Sequence, residues 1–227
     1  MAPRKSGKTD FLLNVCLSTA VSLAPTQIEM MVISFKQSSP LRLLRGLPHV
    51  QVAGSVSSAK KLLAELQAIL STRASEKKSH EDITFSGKGD ITRIIPKRTL
   101  ILIDDVQQFS HYDELNPLLD RCLDHGRDLE MCLFLADTSL NMGQARQNFQ
   151  LKYIQNACKF GNGVTFSVDA NDLALLNLTG KLSNPMLNHH RPLMGRGRAV
   201  LAADGRARIV QFGRVGPKQQ SLAQYEN

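Results

Sequence analysis

Apolar runs and amphipathic stretches alternate along this chain, and the alternation predicts its elements. Phe11, Leu12, Val15, Cys16, Ala20 and Leu23 recur at helical spacing, which predicts a helix over 9–24 ended by Pro25 and Thr26. "IEMMVISF" at 28–35 is a continuous apolar run, the pattern of a strand buried on both faces. "SPLRLLRGLPHV" predicts a short helix stopped by Gly46 and Pro48, and "VQVAGS" a further strand. The clearest helix covers 57–72: Ser57 or Ser58 caps it, and Leu62, Leu63, Leu66, Ile69 and Leu70 form one stripe.

The pattern then turns polar. The stretch at about 73–97 predicts an exposed insertion in which "DITF" and "ITRII" pair as a hairpin. "TLILIDD" at 99–105 restores the core as a buried strand ending in two acids. A helix over 113–125, a buried strand over 129–137, a helix over 143–159 and a third strand at "VTFSV" follow. "GRAVLAADGRARIVQF" predicts a C-terminal β-hairpin, because Asp204-Gly205 is a favoured two-residue turn. Buried strands alternating with amphipathic helices predict an α/β fold, a mostly parallel sheet with helices on both faces. One domain is expected over 1–216, with a flexible tail at 217–227.

Composition narrows function only a little. The formal charge is +8, which permits an acidic or nucleic-acid partner without demanding one. Aromatic residues are 5% of the chain and Trp is absent, which argues against a base-stacking platform. Cys16, Cys122, Cys132 and Cys158 form no Cys-x-x-Cys pair and sit in apolar runs. They read as small buried hydrophobes suited to a reducing cytoplasm. No run of about 18 apolar residues is present, so no membrane span is expected. His189-His190 has no Cys or carboxylate close by, which disfavours a metal site there. Arg191, Arg196, Arg198, Arg206, Arg208 and Arg214 make the last third basic. Solvent-facing arginines on an edge hairpin explain that as well as a phosphate contact does.

Two short motifs carry candidate chemistry. "APRKSGKT", residues 2–9, matches a phosphate-binding loop at Gly7, Lys8 and Thr9, with Ala2 where the first glycine belongs. Ala2, Pro3, Arg4, Lys5, Ser6, Gly7, Lys8 and Thr9 would wrap phosphate oxygens with backbone N–H groups at the positive end of the following helix. Lys8 would meet the β- and γ-phosphates of ATP, and Thr9 would ligate Mg²⁺. Asp104, ending an apolar strand, would hold the Mg²⁺ water shell. Asp105 stands where a glutamate often polarises the attacking water, and is one methylene shorter. Ending a strand and capping the next helix is the structural alternative for both acids.

With these pieces, the chain resembles the FtsK/SpoIIIE superfamily of ring ATPases, and within it the tandem ATPase domains of type VII secretion motors. The resemblance spans roughly residues 2–213, through "SGKT", "MMVISF", "LRLLRGLPHV", "LILIDDVQQF", "NPLLDRCLDHGRDLEMCLFLAD" and "MGRGRAVLAADGRARIVQF". It implies a RecA-like P-loop NTPase core. It also implies ATP and Mg²⁺ as ligands, sibling ATPase domains or subunits in a ring or tandem array, and a cytoplasmic place beside a membrane-bound machine. The moved substrate is a secreted protein or double-stranded DNA. A non-hydrolysing module that binds protein through the same fold is the alternative from another class. The strand before the loop is expected from an upstream piece, or the start is a truncation. The tip of the fourth strand, "LADTSLNMG", has Thr138 and Ser139 where many relatives have an arginine. Hydrolysis is therefore expected to be weak or assembly-dependent, with Arg196 or Arg198 acting in trans on a neighbour.

Overall fold

The computed structural model describes residues 7–85, 97–109, 115, 127–137, 163–166, 198–203 and 206–213. Helix α1 (Lys8–Ser22) leads into strand β1 (Ile28–Ser34), a 3-10 helix (Pro40–Gly46) and strand β2 (Val50–Ala53). Helix α2 (Val56–Phe85) returns the chain to β3 (Arg98–Asp104), a one-turn helix α3 (Val106–Phe109) and β4 (Met131–Ala136). Strands β5 (Gly163–Thr165), β6 (Arg198–Ala203) and β7 (Arg206–Gln211) complete the described elements.

The first four strands form one parallel sheet in the order β2-β1-β3-β4. Parallel neighbours need crossovers, and those crossovers cover both faces of the sheet. Met31, Ile33, Ile101 and Ile103 face Leu62, Leu63, Leu66 and Leu70 of α2. Met30, Val32, Leu100 and Leu102 face Leu12, Leu13 and Cys16 of α1 and Leu41 and Leu44 of the 3-10 helix. This two-sided burial is why β1 and β3 read as unbroken apolar runs. The buried ring of His49 meets the Leu23 carbonyl through Nε2 at 2.8 Å and ties the end of α1 to the start of β2.

The second sheet is antiparallel, in the order β5-β6-β7. Val200 and Ala202 join the α2-side core. Phe11 of α1 packs on Phe212 with ring centroids 4.6 Å apart, and on Phe134 and Phe166 at 6.4 and 6.3 Å. These rings join the first helix to the C-terminal hairpin.

Five sequence expectations need correction. "DITF" is not a hairpin arm; it is the last turn of α2, which runs 30 residues because nothing in 73–85 breaks a helix. Ser55, not Ser57 or Ser58, caps that helix: its Oγ accepts from Ser58 N at 3.2 Å, and Ser58 Oγ accepts from Ser55 N at 3.0 Å. The start of "VTFSV" does not join the parallel sheet but pairs antiparallel with β6 as part of Gly163–Thr165. Within the strand expected to be buried, Cys132 is exposed, whereas Cys16 is buried as expected. Arg73, placed in the exposed stretch, is buried. The C-terminal hairpin strands form as expected. The helix over 143–159, the helix over 113–125 apart from the buried Leu115, the segment 86–96, the 204–205 turn and the tail lie outside the described residues.

Arg73 locks the lower end of the sheet, away from the strands' C-terminal tips. Its guanidinium donates to the Leu129 carbonyl and to Thr99 Oγ1, both at 2.8 Å, and to the Lys97 carbonyl. It also stands 3.5 Å from Glu29. One side chain of α2 thus satisfies groups at the starts of β1, β3 and β4, a fork that an ammonium cannot reproduce. Arg73→Met is expected to cost about 2–4 kcal/mol by leaving the Leu129 and Lys97 carbonyls without this donor and Glu29 with only the Thr99 hydroxyl and Lys97 beside it. Urea unfolding checks this; a loss below about 0.5 kcal/mol would mean that water replaces the fork.

Candidate functional site

The candidate residues meet at the C-terminal tips of the parallel strands. Helix α1 starts there because Gly7 takes φ 102°, ψ 8°, a left-handed conformation that glycine adopts without steric cost. Its carbonyl receives the first helical hydrogen bond, from Phe11 N at 2.8 Å. Among the described residues no side chain caps the helix, which leaves its first-turn N–H groups at the positive end of the helix dipole. That is the arrangement an anion needs. Thr9 follows in the same turn and is half-buried.

Lys8 points inward. It is buried, and its Nζ stands 4.0 Å from Asp104 Oδ1 with no hydrogen-bond partner. Burial holds the Lys8 ammonium below its ordinary value, against the attraction of Asp104. The Asp104 carboxylate is fully buried, and neither oxygen has a hydrogen bond. Burial pushes its carboxyl above the ordinary range, against the pull of Lys36 and Lys8. Ser34, its register partner on β1, is close enough to polarise it without a well-formed bond.

Asp105 turns the chain out of the sheet at φ 68°, a left-handed conformation that Asp tolerates better than most residues. Its N–H donates to the Ala136 carbonyl at 2.8 Å, and its carbonyl accepts from Gln108 N at 3.0 Å, which starts α3. The backbone therefore uses Asp105 as a strand end and helix start, as the structural alternative expected. Its side chain remains in the cluster: Oδ2 stands 3.0 Å from Lys36 Nζ. The same ammonium lies 3.9 Å from Asp104 Oδ2.

Sequence reasoning missed Lys36. The signal was a lysine just beyond an apolar strand, where the parallel sheet places its functional tips. The structure brings together Lys8, Asp104 and Asp105, with Gly7 and Thr9 adjoining. Ala2, Pro3, Arg4, Lys5, Ser6, Arg196, Thr138, Ser139 and His189-His190 lie outside the described residues. Arg198 starts β6, opposite Gln211, and none of the ion pairs formed by the described residues joins it to the acids. Arg206 and Arg208 are exposed on the hairpin, as the solvent-facing reading expects. With Leu201 and Ala203 they line a cavity of about 510 Å³.

The donor set fits a hydrated Mg²⁺ shared with phosphate oxygens. Among the described residues no three His, Cys, Asp or Glu side chains cluster to cage a metal, and Mg²⁺ is usually held by one or two carboxylates plus substrate and water. The oxygens of Asp104 and the Nζ of Lys8, which have no hydrogen bonds, would offer one anion to such a metal and one cation to phosphate. Among the described residues no helix is long and apolar enough to cross a membrane.

Comparison with known proteins agrees with the resemblance read from the sequence. Residues 3–90 match the FtsK/SpoIIIE family. No curated protein sequence matches the chain. Among solved structures, EssC (ATPases 2 and 3) from Geobacillus thermodenitrificans superposes with a TM-score of 0.70 at 14% identity, covering 98% of this chain and 42% of that one. The cytoplasmic domain of the type VII secretion ATPase EccC from Thermomonospora curvata gives 0.65 at 16% identity, covering 95% and 25%. The pCW3 conjugation coupling protein TcpA, in monomer form with ATPγS, gives 0.61 at 13%, covering 98% and 61%. At these identities the likeness shows the fold, that of a RecA-like P-loop ATPase. The chain spans less than two thirds of the length of each.

The left-handed Gly7 generates a prediction. Gly7→Ala is expected to lose about 1–2 kcal/mol of stability, and Gly7→Asn less, because Asn enters the left-handed region more readily. Denaturant midpoints of the two variants check the order; equal losses would mean that the helix start relaxes to another conformation.

Proposed function

We propose that this chain is an ATP-binding motor domain of the FtsK/SpoIIIE type, part of a type VII-like protein secretion machine, whose hydrolysis is weak until it assembles with sibling domains or subunits. The observation that carries the reading is the buried pair of Lys8 and Asp104 at the strand tips, beside a helix start that no described side chain caps. In this reading, Lys8 and the first-turn N–H groups hold phosphate oxygens, while Thr9 and Asp104 hold Mg²⁺. The metal, when bound, neutralises phosphate charge. Asp105 orients water, and Arg196 or Arg198 of one copy reaches the site of another.

Slow turnover is supported by the chemistry of the second acid. Asp105 is shorter than glutamate and its backbone is fixed in a turn. A shorter carboxylate on a fixed backbone approaches a water in line with the terminal phosphate less closely. Secretion is favoured by the EssC and EccC neighbours, whose TM-scores are the higher. The TcpA neighbour and the net positive charge support the second reading, a DNA-translocating ATPase of the same superfamily.

Two measurements test this. Calorimetry should show Mg-ATP binding that Lys8→Ala abolishes, through loss of the phosphate's charge partner; equal affinity in both proteins would sink the nucleotide assignment. For the substrate, any duplex DNA binding should be independent of sequence and should weaken steeply between low and physiological salt. A sequence-specific complex that survives moderate salt would overturn the secretion reading in favour of DNA transport.

A further inference from the structure

We propose that Lys36 is a second phosphate-facing cation of this site, held in waiting by Asp105 and Asp104 and passed to the terminal phosphate of a bound nucleoside triphosphate. The inference rests on the nucleotide reading above and assigns it a residue that no loop motif contains. Lys36 lies two residues beyond the end of β1, the strand next to β3, so the sheet register delivers it to the acids. Its Nζ reaches Asp105 Oδ2 at 3.0 Å and Asp104 Oδ2 at 3.9 Å. Lys8 addresses the other oxygen of Asp104, at 4.0 Å. One buried carboxylate is thus flanked by an ammonium on each oxygen.

The charges explain why the arrangement is poised. Lys8 and Lys36 offset Asp104 and Asp105 before any ligand arrives, and the buried Asp137 just beyond β4 adds a further negative charge that acts on Lys8. A metal-bound triphosphate brings both counter-charges at once. The carboxylates exchange their lysines for the metal, and the lysines exchange their carboxylates for phosphate oxygens, so no charge is left alone at either end of the exchange. The two lysines differ in freedom. The Lys8 side chain is 10% exposed and set by the helix start, whereas that of Lys36 is 34% exposed on a four-carbon stem. Lys36 is therefore the member able to swing. It departs from Asp105, the group read as orienting water at the terminal phosphate, so its transfer frees that carboxylate when a triphosphate is present. It also places a cation in the same chain at the reacting end of the nucleotide.

The test uses the full chain and measures Mg-ATP and Mg-ADP affinity by calorimetry for wild type, Lys36→Gln and Lys36→Arg, with a thermal melt of each to show that the fold is kept. Lys36→Gln should weaken ATP about tenfold, the size expected for a lost charge-assisted contact, and change ADP by less than about threefold. Lys36→Arg, which keeps the charge, should restore most of the ATP affinity. Unchanged ATP affinity in Lys36→Gln, or an equal loss for ATP and ADP, would overturn the proposal while leaving the nucleotide reading intact. If wild type binds neither nucleotide, the nucleotide reading itself falls and this assignment with it.

Discussion

A carboxylate buried at the end of a parallel strand, with a lysine near each of its oxygens and no hydrogen bond to either, is the feature around which the site is arranged. Removing an ion from water is costly, and the ion pairs here are too long to repay that in full. The fold nevertheless holds the groups in place. The register of β1, β3 and β4 aligns Ser34, Asp104 and Ala136 in one row, and Asp105 N anchors the row through the Ala136 carbonyl. Helix α1, packed by Leu12, Leu13 and Cys16 on the sheet, delivers Lys8 from the other side. Charges fixed in advance and without hydrogen bonds of their own are what a binding site for a charged ligand requires.

The two ends of the sheet show different uses of buried charge. At the lower end, the Arg73 fork bonds to carbonyls, a hydroxyl and Glu29, and its polar groups are consumed by the fold. At the upper end, Lys8 and Asp104 keep their bonding capacity free. The aromatic group around Phe11 couples that upper end to the second sheet, since Phe11 sits one turn beyond Gly7 and touches Phe212 and Phe166. A change in how the first turn of α1 is held would therefore be felt by the C-terminal hairpin through packed rings.

Much of this was legible in the residues. β1 and β3 were readable because burial on both faces writes a continuous apolar run. Gly7, Lys8 and Thr9 were readable because they match a phosphate-binding loop that opens a helix, where Gly7 takes the left-handed turn. Asp104 was readable as an acid at the end of such a run. What was not legible depended on contacts between distant segments. The continuation of α2 through "DITF" was hidden by a polar sequence, because a helix that carries few apolar residues has no stripe to read. The antiparallel pairing at the start of "VTFSV" is a tertiary choice that its composition does not encode. Lys36 stayed hidden because nothing local distinguishes it from any surface lysine; only the strand register places it beside Asp105.

The central claim is that the Asp104 carboxylate, without hydrogen bonds, serves a metal and the ammonium groups beside it serve phosphate, so that each ligand relieves the other. The most direct measurement is the affinity of the wild-type chain for ATP in the presence of Mg²⁺ and again with the metal chelated. The account predicts that Mg²⁺ strengthens ATP binding by at least about tenfold, because without it the nucleotide must draw the lysines from Asp104 and Asp105 and leave those acids uncompensated. Equal affinity with and without Mg²⁺ would contradict it.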